Sequence, residues 1–205
     1  MIRTNIHPPL YKKIGSLKLI EIPEVRKKIL KPFIDYLKSK NTSEEVANLN
    51  FICTHNSRRS QLAQIWAKAL SEVYGIKIKA YSGGTEVTAF HKNAIMALKR
   101  AGFNITEESG ENPIYKISYA SNSEPIEAYS KLYDAKENPN ERFAAMMTCS
   151  HADENCPHIA GAESRIALDY NDPKLFDGTS QESTKYDERS DQIASEFIYV
   201  FENVK

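Results

Sequence analysis

No apolar run in this 205-residue chain approaches the roughly 20 residues needed to cross a bilayer. The opening stretch, MIRTNIHPPLYKKIGSLKLI, has two prolines and scattered charges where a secretion signal would have one continuous apolar segment. A cytoplasmic protein with no membrane association is therefore expected. Charge of one sign is also lacking: 27 Lys+Arg balance 27 Asp+Glu, which gives no electrostatic reason to expect nucleic acid or an anionic membrane as partner. Neither the dinucleotide nor the nucleotide-triphosphate glycine fingerprint occurs. Cysteine is scarce and odd in number, three in all, which argues against a secreted disulfide framework and for thiol chemistry in a reducing compartment. With 41% hydrophobic and 26% charged residues, the composition suits one main domain with one good core.

The most informative stretch is Asn48–Tyr74. Leu49, Phe51 and Ile52 form a short apolar run ending on Cys53, as a buried strand would. Leu62, Ile65, Trp66, Ala69, Leu70 and Val73 follow at helical spacing, which predicts a helix with one face on a core. Between them lies Cys53-Thr54-His55-Asn56-Ser57-Arg58-Arg59-Ser60, a cysteine, five intervening residues, an arginine and then a serine at a helix start. Such a loop can turn successive backbone N–H groups inward, making an anion nest closed by the positive helix end. A tetrahedral oxyanion would fit among Thr54, His55, Asn56, Ser57 and Arg58. The same N–H groups and the Arg59 guanidinium would stabilise a thiolate on Cys53, making it a nucleophile, and Ser60 could hydrogen-bond the sulfur. Arg59 suits two oxygens at once through its planar fork. A cysteine-to-arginine spacing alone is weak, and a buried structural cysteine is the bland alternative.

Residues 1–47 read as an amino-terminal helical extension, with 48–205 as the catalytic domain. Within the extension, Val25, Ile29, Leu30, Phe33, Ile34 and Leu37 recur at helical spacing after Pro23, with Pro32 as a possible kink. That stripe would pack on the main domain or, in a sharper reading, form a dimer contact or a lid. Arg26-Lys27-Lys28 reads as the solvated face of this helix, and Ser43–Ala47 as a short polar helix. Ile76, Ile78 and Ala80 alternate with polar residues as a second strand ending at Gly83-Gly84, and Phe90–Ala101 reads as a helix stopped by Gly102. Ile114–Tyr119 and Ile126–Tyr133 suggest an inserted β-hairpin, Phe143–Thr148 and Arg165–Leu168 two further strands, and Asp187–Phe201 a last helix. This order predicts an α/β fold with a parallel sheet covered by helices on both faces and reacting groups at the carboxyl ends of strands.

Two more stretches carry chemistry. Cys149-Ser150-His151-Ala152-Asp153-Glu154-Asn155-Cys156-Pro157 follows a strand as Cys53 does. In a parallel sheet such strand ends share an edge, so Cys149 could approach Cys53, and Cys156 sits in a polar loop that could move towards Cys149. Asp172-Pro173 could hold a carboxyl over an oxyanion pocket to protonate a leaving oxygen, with Asp169 and Asp177 as substitutes, although Asp-Pro is also common in ordinary turns.

CTHNSRRS resembles the phosphate loop of the low-molecular-weight tyrosine phosphatase superfamily, and CSHADENCP resembles the redox loop of its thioredoxin-coupled arsenate reductases. The resemblance covers residues 48–205. It implies a phosphatase-I-like, flavodoxin-like fold with a four-stranded parallel sheet. It implies a reductase in which Cys53, Arg59, Ser60, Cys149, Cys156 and Asp172 are catalytic, arsenate or phosphate is the oxyanion, thioredoxin is the partner, and no metal or organic cofactor is required. The extension and the insertion at 112–142 exceed compact members, Arg58 adds a charge to the loop, and Lys174-Leu175 replaces the tyrosine pair that phosphatases of the family often use. The alternative is a phosphatase working through a phosphocysteine on Cys53. A more distant one is a structural zinc module built on Cys53-x-His55, Cys149-x-His151 and Cys156-x-His158, whose spacing is tighter than usual for zinc fingers.

Overall fold

A computed structural model describes residues 5–107, 109–155 and 158–204. Strand β1 (Ala47–Cys53) is the axis of a four-stranded parallel sheet ordered β2-β1-β6-β7, with β2 at Ile78–Gly84, β6 at Phe143–Met147 and β7 at Ala162–Ala167. The chain leaves β1 to one side for β2 and later returns to its other side for β6. The carboxyl end of β1 is thus a topological switch point, where ligands of open α/β sheets bind.

Alternation along the strands creates two cores. Leu49 and Phe51 of β1 and Ala144 and Met146 of β6 join a large cluster. That cluster takes in buried residues of α1 (Pro8–Leu17), α2 (Glu24–Thr42), α3 (Arg59–Tyr74), α4 (Lys92–Ala101) and α6 (Glu182–Glu202). Ile52, Cys53, Phe143, Ala145, Met147 and Cys149 form a smaller cluster on the other face, closed by Ala152 of the short α5 (Ser150–Asn155), Ile159 and Tyr133. The residues expected to face inward on α3 are all buried, as are Ala94, Ile95, Leu98 and Ala101 of α4 and Ile193, Phe197, Ile198 and Phe201 of α6. α3 and α4 end where Gly75 and Gly102 adopt positive φ, as residues without a Cβ do most readily.

A second, antiparallel sheet ordered β3-β4-β5 flanks this body, with β4 at Tyr115–Ser118 and β5 at Ile126–Ala128 paired as the expected hairpin. Its third member, β3 (Asn104–Glu107), escaped the pattern because it is polar and mostly exposed, as an edge strand is. β5 is shorter than expected, and residues 129–133 instead run against the end of β2, where Gly84 N–H donates to Lys131 O at 2.8 Å.

Three readings of the extension change. The short helix at Ser43–Ala47 does not form: α2 runs to Thr42, Glu44 turns the chain with φ 57°, and β1 already starts at Ala47. A helix without a clear sequence signal, α1, buries Leu10, Ile14 and Leu17 in the large core, and prolines open it at a position that needs no N–H. Gly102 permits that docking, because a Cβ there would lie 2.4 Å from Leu10 N. Arg26 is not solvated as expected: it forms a salt bridge with Glu196. The apolar stripe of α2 packs on the body as the simpler reading held, except Val25, which stays exposed, while Pro32 lies on the outer face of an unbroken helix.

Phe33 meets Phe197 and Phe201 edge-on, with centroids 5.6 and 6.4 Å apart. Phe33→Ala should cost about 3–5 kcal/mol, the usual range for a buried aromatic. Urea denaturation followed by tryptophan fluorescence should show one transition at a lower midpoint, because α2 and the Trp66-containing core share one cluster. Two separated transitions would contradict this.

Candidate active site

β1 delivers Cys53 to the sheet edge and α3 begins at Arg59, so residues 54–58 must close the gap as a loop. Asn56 bends it with φ 45°, a left-handed conformation that asparagine tolerates better than most side chains. Among the described residues, none of the backbone N–H groups from Thr54 to Arg59 donates a hydrogen bond within the protein. A run of unused donors at the start of a helix is the arrangement expected of an anion nest.

The loop's side chains brace it outwards. Ser57 Oγ donates to Ala89 O at 2.6 Å, His55 Nε2 lies 3.3 Å from Glu86, and Thr54 Oγ1 lies 3.2 Å from His151 Nδ1. Gly84 allows β2 to press against the loop, since a Cβ there would meet Asn56 N and Thr54 O at 2.7 Å. Arg58 turns to Tyr186, donating from Nε to its hydroxyl at 2.7 Å, and its Nη2 donates to Asp177 at 3.3 Å.

A short relay of hydrogen bonds sets the donor that faces Cys53. Lys131 N–H donates to Asn56 Oδ1, which fixes the amide so that Asn56 Nδ2 faces Ser60 Oγ at 2.9 Å. An amide nitrogen only donates, so Ser60 Oγ accepts there and its own hydrogen is free for Cys53 Sγ, 3.1 Å away. The serine can thereby donate to the Cys53 sulfur. Arg59 completes the loop: Nη1 donates to Tyr170 O at 2.9 Å and Nη2 to Asp172 Oδ2 at 2.8 Å. Its Nε is buried without a partner among the described residues, a donor that an oxyanion in the loop could use. Asp172 heads the 3₁₀ turn Pro173–Phe176, its Oδ1 accepting from Lys174 N–H, and so stands beside the loop.

Cys149 reaches the same edge. Thr148 N–H donates to Ile52 O at 2.8 Å, extending the β1–β6 pairing to the residue before Cys149. Its sulfur lies 3.7 Å from Thr54 Oγ1 and accepts from Ala152 N–H at 3.4 Å. Both thiols are free and nearly sealed, Cys53 at 3% exposure and Cys149 at 1%. Cys156 lies outside the described residues. Among those described, no group of three or more His, Cys, Asp or Glu side chains is arranged to hold a metal.

Several neighbours had no sequence signal. Tyr186 donates to Asp177 and stacks on His91 at 5.5 Å, and burial with the Asp177 hydrogen bond raises its pKa above the ordinary tyrosine value. Burial, and then the charge of Arg58, holds the His91 imidazole below its usual value. A cleft of about 490 Å³ opens beside the loop, lined by His55, Arg58, His91, Lys92 and Lys174 among others. His91, Lys92 and Tyr186 were not visible in local patterns, because α4 and α6 reach the loop only through the tertiary fold.

Residues 48–121 match the family described as low molecular weight phosphotyrosine protein phosphatase. An arsenate reductase of a Bacillus cereus strain is 31% identical over 130 residues, covering 63% of this chain and 79% of the relative. An arsenate reductase of Halalkalibacterium halodurans is 28% identical over 132 residues, covering 64% and 78%. Among solved structures, a low molecular weight protein tyrosine phosphatase from T. tengcongensis shares the fold with a TM-score of 0.52 and 17% identity, over 76% of this chain and 98% of that one.

Lys131 supplies a pH test of the loop's support. Its side chain is buried over the Tyr129 ring, 4.6 Å from the centroid, and burial lowers its pKa to about 8. The unfolded chain then holds more protons than the folded one between about pH 8 and the ordinary lysine value, so stability rises with pH across that window. Lys131→Met should remove the rise and stabilise the protein at pH 7 by on the order of 2 kcal/mol. Chemical denaturation at pH 7 and pH 10 checks both; an unchanged pH dependence in the variant would refute it.

Proposed function

The chain belongs to the low molecular weight phosphotyrosine protein phosphatase family, and from that premise we propose that it reduces arsenate to arsenite, with thioredoxin as final reductant. The enzyme is of the arsenate reductase or phosphatase kind. What favours the reductase is Cys149, a second free thiol whose sulfur lies 3.7 Å from the hydroxyl of Cys53's neighbour, Thr54.

Arsenate enters the loop with its oxygens on the unused N–H groups and the Arg59 fork. The Cys53 thiolate attacks arsenic while Asp172 gives a proton to the departing oxygen, which leaves as water. Cys149 thiolate then attacks Cys53 sulfur. The Cys53–arsenic bond breaks, its electron pair stays on arsenic, and arsenite departs as a Cys53–Cys149 disulfide forms. Ala152 N–H supports the Cys149 thiolate before that attack. Cys156 next attacks Cys149 sulfur, freeing Cys53, and thioredoxin opens the resulting Cys149–Cys156 bond by exchange.

One observation favours a phosphatase instead: the cleft beside the loop has room and positive charge for the organic part of a phosphate ester, which arsenate does not need. In that reading Asp172 protonates the leaving alcohol, Cys53 carries the phosphoryl group and Cys149 guards Cys53 against overoxidation.

Cys149→Ser separates the two. For the reductase, wild-type protein given arsenate without thioredoxin loses two thiols per arsenite formed, and the variant forms no intramolecular disulfide and releases essentially no arsenite. Thiol titration and arsenite chromatography measure this, beside aryl phosphate hydrolysis. Aryl phosphate turnover unchanged in the variant, with no arsenite from the wild type, would establish the phosphatase.

A further inference from the structure

A side chain of the amino-terminal extension, Arg26, leads towards the candidate active site. Arg26 of α2 grips Glu196 of α6 with both ends of its fork, Nε to Oε1 and Nη2 to Oε2, each at 2.8 Å. Glu196 is 1% exposed, so this buried carboxylate depends on the guanidinium for its charge balance. The same carboxylate accepts from the hydroxyl of the buried Tyr170 at 2.8 Å and from Gln192 Nε2 at 2.9 Å. Arg26 also lies over the Tyr170 ring, 5.1 Å from its centroid, and its Nη1 donates to Asp169 O at 3.4 Å.

These contacts converge on the turn that carries Asp172. Asp169 sits in a left-handed conformation with φ 43°, uncommon for a residue with a side chain and held only by surrounding contacts. Tyr170 N–H is tied to Thr148 O, and its carbonyl receives Arg59 Nη1, the guanidinium that also holds Asp172. A continuous path thus runs from Arg26 through Tyr170 to the Arg59–Asp172 pair. Arg189 does not supply the brace: it donates to Gln192, its Nε has no partner among the described residues, and burial lowers its pKa.

We propose that Arg26 is a positioning residue for the reaction, acting from the extension through Glu196 and Tyr170 to fix Arg59 and Asp172. The proposal rests on the reading of Asp172 as proton donor. Arg26 touches neither the oxyanion nor a reacting sulfur, so its removal should act only through the Arg59–Asp172 pair, a unit that Asp172→Asn already breaks.

The test uses the full chain and three variants, Arg26→Met, Asp172→Asn and the double substitution, each assayed for single-turnover release of arsenite. Asp172→Asn should slow release about a hundredfold, within the range for a lost general acid, and Arg26→Met about tenfold. The double variant should be no more than about twofold slower than Asp172→Asn, since residues acting as one unit are not additive. Arg26→Met leaves Glu196 buried and unpaired, so Arg26→Met/Glu196→Met keeps the fold by replacing the pair with apolar side chains. It should recover the thermal midpoint while arsenite release stays slow. Activity recovering with the midpoint, multiplying losses in the double variant, or an unaffected Arg26→Met overturns the proposal. An unaffected Asp172→Asn instead overturns the reading of Asp172, and this proposal with it. If the wild type releases no arsenite, the same variants are compared on phenyl phosphate, whose leaving oxygen needs the same acid. Inactivity on both substrates overturns the function and the proposal together.

Discussion

Everything at this site depends on the parallel register between β1 and β6. Leu49 opposite Ala144 and Ile52 opposite Met147 bring two strand ends to one level, so cysteines far apart in sequence emerge side by side. An antiparallel partner would send one cysteine to the far edge. The pairing at a strand-order reversal also leaves a crevice there, which the Cys53 loop fills from one side and the Asp172 turn from the other.

Positive charge is the second constraint. Arg26, Arg58 and Arg59 all meet near the turn that follows β7, and each has a carboxylate answering it: Glu196, Asp177 and Asp172. Hydrogen bonds from Tyr170 and Tyr186 orient two of these carboxylates. The consequence is a loop whose main-chain donors stay unused while nearby side chains are mostly satisfied, so an arriving oxyanion finds donors already in position.

Much of this was legible in the sequence. Strand, loop and helix around Cys53 were readable because the apolar period changes from a run to a helical spacing across the polar loop, and the parallel sheet followed from the order of elements. What stayed hidden depends on contacts between distant parts. Arg26 looked like one of three solvated basic residues, because nothing local marks a partner on α6. α1 escaped notice because its three buried residues are diluted by lysines and a glycine, and β3 because an edge strand needs no apolar face. Ser43–Ala47 was misassigned because a short polar stretch after a helix fits either a helical turn or a left-handed bend, and Glu44 adopts the bend.

The near-complete enclosure of the two sulfurs has a redox consequence. A bond between Cys53 and Cys149 would lie beneath Thr54, Ala152 and Ile159, out of reach of the small thiols dissolved around the protein. Electrons can then enter only along a route the polypeptide opens by moving. Under the proposed relay, that insulation would select the electron donor, and the buried sulfurs of an idle molecule would be shielded from stray reduction.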